Sequence, residues 1–275
     1  MTKVISLGKI EVGGNNPFVL IAGPCVIENR DLVFQVAGAL KKITAKLKIP
    51  FIFKASYDKA NRTSINSFRG PGLIDGLEIL NAVKEKFAVP ILSDVHAVDE
   101  VERSAEVLDV LQIPAFLCRQ TDLLVKAAKT GKVINVKKGQ FLAPWDMKEV
   151  VKKIENAGNH KILLTERGVS FGYNNLVTDF RSLAILRKTG YPVVFDATHS
   201  VQQPGGLGTA SGGTGEHIPL LARCAVAAGT DAVFMEVHPN PKKALSDGPN
   251  MVALNQVEGL LKDLKAIEEA VKRKN

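Results

Sequence analysis

The sequence predicts an α/β protein folded as a (β/α)8 TIM barrel, with an N-terminal β-hairpin capping the barrel bottom. Two observations predict it. Eight short apolar runs, rich in β-branched or aromatic residues, recur along the 275 residues at a spacing of roughly thirty, each too short for a helix. Between them lie stretches of helical periodicity, and strict strand–helix alternation implies a parallel sheet. Eight such units in about 250 residues suit a closed barrel better than an open doubly wound sheet. No GxGxxG motif follows a strand, which counts against a dinucleotide fold.

Taken in order, Lys3–Leu7 and Lys9–Val12 flank Gly8 as a hairpin ahead of the first unit. The strand runs are Phe18–Ala22, Phe51–Lys54, Pro90–Val95, Val110–Pro114, Val133–Lys137, Lys161–Thr165, Pro192–Ala197 and Ala232–Val237. Helical patterns include Asp31–Leu47, Leu73–Phe87, Asp122–Thr130, Asp146–Ala157, Glu216–Ala228 and Gln256–Lys272. Asp or Thr at several of these starts reads as a cap, and Gly131, Gly158, Gly190 and Gly229 read as stops. No linker or composition shift divides the chain, so residues 1–275 are expected to form one domain, with residues 1–16 as the hairpin and 199–215 as a Gly-rich active-site loop.

Composition narrows the function class. Apolar residues make up 45% of the chain, and folding at this length buries about 75% of the unfolded surface, so a sizeable core is available. The longest apolar runs are of strand length and the first residues carry no signal pattern, so neither export nor membrane spanning is expected. Cys25, Cys118 and Cys224 form no CxxC or disulfide-like framework, which suits a cytoplasmic protein. The net charge of +8 could indicate nucleic acid, but aromatics are only 6% and much of the charge falls on helix faces such as Lys41-Lys42. Nucleic-acid surfaces usually combine basic patches with stacking aromatics, so small anionic substrates are the better explanation.

A barrel places its chemistry at the C-terminal ends of its strands, and here all eight ends carry polar residues. Singly, each reads as a surface ion pair or a turn. Together they form two sets. The cationic set is Lys54, Lys59, Arg62, Lys137 and Arg167, with Arg119 on the fourth loop: enough for two phosphates, or for a phosphate and a carboxylate. The segment from Lys54 to Gly72 contributes most of it, adding Asn61, Thr63 and Ser64 as donors. The second set is Cys25, His199, Glu236 and Asp247, from loops 1, 7 and 8, which a closed barrel makes neighbours. Soft sulfur, imidazole and carboxylate together suit Zn, Fe, Mn or a similar divalent ion without selecting one. Residues 202–215 form a long Gly-rich loop after the seventh strand, suited to a lid.

Several motifs carry a family resemblance. They are Phe53-Lys-Ala-Ser, Lys59-Ala-Asn-Arg-Thr-Ser, Gln112-Ile-Pro-Ala-Phe, Arg119-Gln-Thr-Asp, Asn135-Val-Lys-Lys, Glu166-Arg-Gly, Asp196-Ala-Thr-His-Ser and Glu236-Val-His-Pro. From about Pro17 to Leu254 the chain resembles the 3-deoxy-D-manno-octulosonate 8-phosphate synthase family. The resemblance implies a transferase of lipopolysaccharide biosynthesis that condenses phosphoenolpyruvate with D-arabinose 5-phosphate and water. Carried over by motif, Lys54, Gln112, Lys137 and Arg167 would hold phosphoenolpyruvate; Asn61, Arg62 and Ser64 would hold the pentose phosphate. Arg119 would reach in from a neighbouring subunit of a homotetramer. Lys59 would lie near the phosphoenolpyruvate carboxylate, Asp94 would contact sugar hydroxyls, and His96 would sit close to the reacting centre. Family members with Asn after the first strand need no metal, whereas those with Cys do. Cys25 implies the metal-requiring class, with His199, Glu236 and Asp247 as the other ligands.

Rival readings are a 3-deoxy-7-phosphoheptulonate synthase acting on erythrose 4-phosphate and a Schiff-base aldolase using Lys54 or Lys137. A non-catalytic sugar-phosphate or RNA-binding protein is a further one.

Overall fold

A computed structural model describes residues 1–206, 208 and 211–272. Leu207, Thr209 and Ala210 of the Gly-rich loop, and Arg273 to Asn275 of the basic tail, lie outside the described residues. Eight parallel strands run β1 Val19–Gly23, β2 Phe51–Lys54, β3 Ile91–Asp94, β4 Val110–Ile113, β5 Val133–Lys137, β6 Ile162–Glu166, β7 Val193–Asp196 and β8 Ala232–His238. Each pairs with its sequence neighbour. The sheet closes where β8 takes β7 on one side, Val194 opposite Ala232, and β1 on the other, Ala232 opposite Val19.

Every residue of these strands is buried, as expected for parallel strands with side chains inside the barrel and helices outside. Eight helices form the outer layer: α1 Arg30–Leu47, α2 Leu73–Phe87, α3 Val101–Val107, α4 Thr121–Lys129, α5 Met147–Asn156, α6 Arg181–Arg187, α7 Ile218–Ala227 and α8 Val257–Lys272. The sequence patterns locate six of them within a few residues. The seven-residue helices α3 and α6 span barely two turns, too few for a periodicity to show.

The glycine stops hold: Gly131, Gly158, Gly190 and Gly229 all have φ between 70° and 87°, where a Cβ is disfavoured. The expected Asp and Thr caps do not. Helix α1 is capped by Asn29, whose side chain accepts from Leu32 N at 2.9 Å, while Asp31 lies inside the first turn. Asp122 and Asp146 make no cap hydrogen bond. An Asp within the first turn is favoured by the helix dipole instead, and composition alone does not separate the two placements.

The hairpin pairs Ile5–Leu7 with Ile10–Val12 across Gly8, and Ile5 and Val12 are buried opposite each other. Lys3 N donates to Gly190 O at 2.7 Å, just before β7 begins, so the hairpin docks at the N-terminal end of the barrel. The opposite end is left to the loops that carry the polar residues.

Candidate active site

At the C-terminal end of the barrel the loops enclose a cavity of about 910 Å³. Lys54, Lys59, Asn61, Arg62, Lys137 and Arg167 line it, and so do Asp94, His96 and Gln112. His199 and Asp247 complete the wall, whereas Cys25 and Glu236 lie beneath it and are fully buried. Two expected residues stand apart. Ser64 does not line the cavity, and its hydroxyl accepts from Asn66 N at 3.3 Å. Arg119 is exposed on the fourth loop, outside this chain's own cavity.

The loop after β2 is shaped by its own contacts. Lys59 N donates to Arg69 O at 2.8 Å, Gly72 N donates to Tyr57 O at 3.1 Å, and Arg69 pairs with Asp58 through two guanidinium nitrogens. These ties close the loop base, and at Gly70 (φ 114°) an added Cβ would fall 2.5 Å from Tyr57 O. Arg62 Nε donates to Phe68 O at 3.0 Å, which leaves its Nη2 buried without a partner.

Charge inside the barrel mouth is organised in pairs. Lys54 Nζ donates to Glu236 Oε1 at 2.8 Å and to Cys25 O at 3.0 Å. Lys137 Nζ lies 2.5 Å from Asp196 Oδ2, and Lys59 Nζ lies 3.9 Å from Glu236. Burial lowers the pKa of the Lys137 ammonium despite Asp196, and it lowers that of the Arg167 guanidinium despite several acidic neighbours. Both cations are thus underneutralised, and an arriving anion would stabilise them. Burial works against the Lys59 ammonium as well, but Cys25, Glu236, Asp94 and Asp247 reverse the sign and raise it. For Glu236, burial is outweighed by Lys54, His199 and Lys59, which hold its carboxyl below the usual range.

Three of the four candidate metal ligands come together. Ligand atoms of Cys25, Glu236 and Asp247 all lie within 4.8 Å of one another. His199 falls outside that cluster, with its Nε2 3.6 Å from Glu236 Oε1 and its Nδ1 2.7 Å from Asp196 Oδ2. Asp196 thereby pins the ring and leaves Nε2 as the available donor, the usual arrangement of a ligating imidazole. The set fits a divalent cation on two further grounds. Glu236 Oε2 is buried without a hydrogen-bond partner. Burial, then the Glu236 charge, pushes the Cys25 thiol well above its ordinary range, so a cation would have to offset that charge for Cys25 to serve as a thiolate.

Some contributors carry no role in the sequence reading. Asp196 orients both Lys137 and His199. Gln202 accepts from Arg167 Nη2 at 2.8 Å and donates to Asp247 Oδ1 at 3.2 Å, joining the cationic and metal sets. It follows β7 at the base of the Gly-rich loop, where Gln202–Gln203 pairs with Gly212–Gly213. Ser246 Oγ lies 2.9 Å from Cys25 Sγ. Position at the end of a strand was the available signal for Asp196; Gln202 opened the Gly-rich loop without a role of its own, and nothing in the sequence marked Ser246.

The chain matches known proteins over nearly its whole length. Residues 2–273 match the DAHP synthetase I family. Curated relatives named 2-dehydro-3-deoxyphosphooctonate aldolase include those of Geotalea daltonii and Geotalea uraniireducens, each 64% identical over 272 residues, covering 99% of this chain and all of the relative. The protein of that name from Geobacter metallireducens is 62% identical over the same coverage. The chain therefore belongs to the DAHP synthetase I family, alongside the 2-dehydro-3-deoxyphosphooctonate aldolases.

Proposed function

We propose that the protein condenses phosphoenolpyruvate with D-arabinose 5-phosphate and water, releasing inorganic phosphate and the eight-carbon 3-deoxy-D-manno-octulosonate 8-phosphate. One observation carries the reading furthest: Arg62 Nη2 and Arg167 Nη1 are buried without partners, and both residues line the same cavity. Two unpaired guanidinium nitrogens in one enclosed space suit two phosphorylated substrates. The relatives' shared name agrees with an eight-carbon product rather than the seven-carbon alternative.

Lys137 and Arg167, with Lys54 and Gln112, hold phosphoenolpyruvate, and Lys59 faces its carboxylate. Asn61 and Arg62 hold the pentose phosphate, with Ser64 reached by movement of its loop. Carbon 3 of the enol phosphate is a weak nucleophile, so the site must align it with the sugar aldehyde and exclude competing water. The new carbon–carbon bond turns the aldehyde oxygen into an alkoxide-like group that takes a proton, with His96 nearby. Water adds at carbon 2, and phosphate leaves as the keto group forms. Asp94 accepts from a sugar hydroxyl and fixes the aldehyde's approach. Cys25, His199, Glu236 and Asp247 would hold a divalent cation, which would supply Lewis-acid stabilisation of an oxygen.

A homotetramer fits the exposed position of Arg119 and the exposed Phe116, Phe141 and Trp145 on neighbouring loops. The same reading places the enzyme in the cytoplasm, where its three free cysteines stay reduced. No described helix is long and apolar enough to cross a membrane.

The test is phosphate release from phosphoenolpyruvate with arabinose 5-phosphate or erythrose 4-phosphate. Turnover with the pentose alone supports the reading, and preference for the tetrose overturns it.

A further inference from the structure

Asp94 stands at one end of a hydrogen-bonded chain that crosses the ends of β3, β4, β5 and β6. Ser56 Oγ donates to Asp94 Oδ2, and Gln112 Nε2 donates to Asp94 Oδ1. Gln112 Oε1 accepts from Asn135 Nδ2 at 2.9 Å, and Asn135 Oδ1 accepts from the Thr165 hydroxyl at 2.7 Å. The whole chain is buried: Asp94 is 7% exposed, Gln112 2%, and Asn135 and Thr165 not at all.

A side-chain amide can turn end for end with little change of shape, so its direction must come from a group of fixed polarity. Asp94 is that group. Burial opposes its charge, but Lys54 and Lys59 from β2 and its loop and His96 from the third loop outweigh burial and keep it a carboxylate. Tyr57 packs edge-on against His96, and its hydroxyl donates to Glu100 behind that ring, at 2.8 Å. A carboxylate only accepts, so Gln112 must turn its NH2 toward Asp94. The Gln112 carbonyl must then accept from Asn135, and the Asn135 carbonyl from Thr165. The Thr165 hydroxyl could donate or accept, so it adapts to close the chain.

We propose that Asn135 and Thr165 are positioning residues for the condensation. They hold the Gln112 amide with its N–H groups toward Asp94 and the cavity, and so keep Asp94 an oriented acceptor for a substrate hydroxyl. Neither residue lines the cavity, so both act through Gln112. The proposal rests on the function proposed above.

Thr165→Val keeps the volume and removes the donor, leaving Asn135 Oδ1 buried and unpaired. Asn135 then loses the donor that holds its carbonyl and can turn away, which costs Gln112 Oε1 its Nδ2 partner and loosens the Gln112 amide that Asp94 accepts from. Such a change should raise the KM for arabinose 5-phosphate roughly five- to tenfold. Because Gln112 also faces phosphoenolpyruvate, the KM for that substrate should rise as well, while kcat changes less than about twofold, the pattern of lost uniform binding. Thr165→Ser, which restores the hydroxyl, should recover most of both constants. Asn135→Ala removes the donor to Gln112 Oε1 and should raise both KM values further. The experiment measures kcat and the KM for each substrate in the full-length, metal-loaded enzyme for these three variants. Thr165→Val constants equal to those of the unsubstituted protein overturn the proposal. Equal impairment of Thr165→Ser and Thr165→Val does so too. Should Thr165→Val fail to fold, Asn135→Ala decides by the same two readouts. Failure of the underlying function is separately visible, because the unsubstituted protein would then release no phosphate with the pentose at any pH.

Discussion

The Lys54 ammonium lies 2.8 Å from Glu236 Oε1, with neither side chain more than 1% exposed, so the cationic pocket and the candidate metal ligands share one ion pair. Two charges this deep are tolerable only together. Removing Lys54 leaves Glu236 in contact with His199 at 3.6 Å and Lys59 at 3.9 Å, neither as close. Lys54→Met should therefore lose about 3–5 kcal/mol of stability as well as turnover, read from denaturant unfolding.

Lys137 and Arg167 differ from Lys54 because their neighbours have other partners. Without Lys137, Asp196 still accepts from Thr198 Oγ1 at 3.0 Å and His199 N at 2.9 Å. Lys137→Ala and Arg167→Ala should thus keep the fold while lowering kcat/KM by about 10²–10³, the scale of losing one electrostatic partner of a transition state. Near-normal kinetics with an unchanged circular dichroism spectrum would remove these residues from the site.

The donor set predicts that chelation stops turnover and that a divalent ion restores it. Cys25→Ser should lower bound metal as well, because a hydroxyl is a poorer ligand than a thiolate. Metal content by elemental analysis, alongside phosphate release, checks both. Full activity after thorough metal removal sinks the metal role.

Glu100 provides a pH test away from the cations. Burial raises its carboxyl, but the nearby His96 ring, its Nδ1 3.4 Å away, the His96 backbone N–H and the Tyr57 hydroxyl lower it from 4.5 to about 2. A folded-state value below the unfolded one adds stability at pH above 4.5, and that stability is lost as pH falls toward 2. Glu100→Gln should be about 1–2 kcal/mol less stable than the unsubstituted protein at pH 7, after allowance for solvent screening. The gap should close between about pH 4.5 and 2, as followed by unfolding across that range.

Much of the barrel was legible before any coordinates. Runs such as Val133–Lys137 coincide with the observed strand because a strand buried on both faces is largely apolar, Asn135 and Lys137 being the exceptions that serve the site. Gly131 and Gly158 end helices because the left-handed backbone there excludes most side chains. Helices α3 and α6 were less legible, since seven residues hold too little periodicity, and the caps were misplaced because Asp suits both a cap and a first turn.

The same division runs through the site. Strand-end position alone marked Lys54, Asp94, Lys137, Arg167 and Glu236, because a parallel barrel directs its chemistry to one end. Cys25 and Asp247 are 222 residues apart, and only barrel closure between β8 and β1 brings them to 3.5 Å. The tertiary structure also decided which cation meets which anion, that His199 turns Nδ1 to Asp196, and that Gln112 turns its amide to Asp94. Composition and periodicity record which way a segment must face. Pairing of buried charges and direction of buried amides depend on distances between strands far apart in the chain, and those exist only once the barrel has closed.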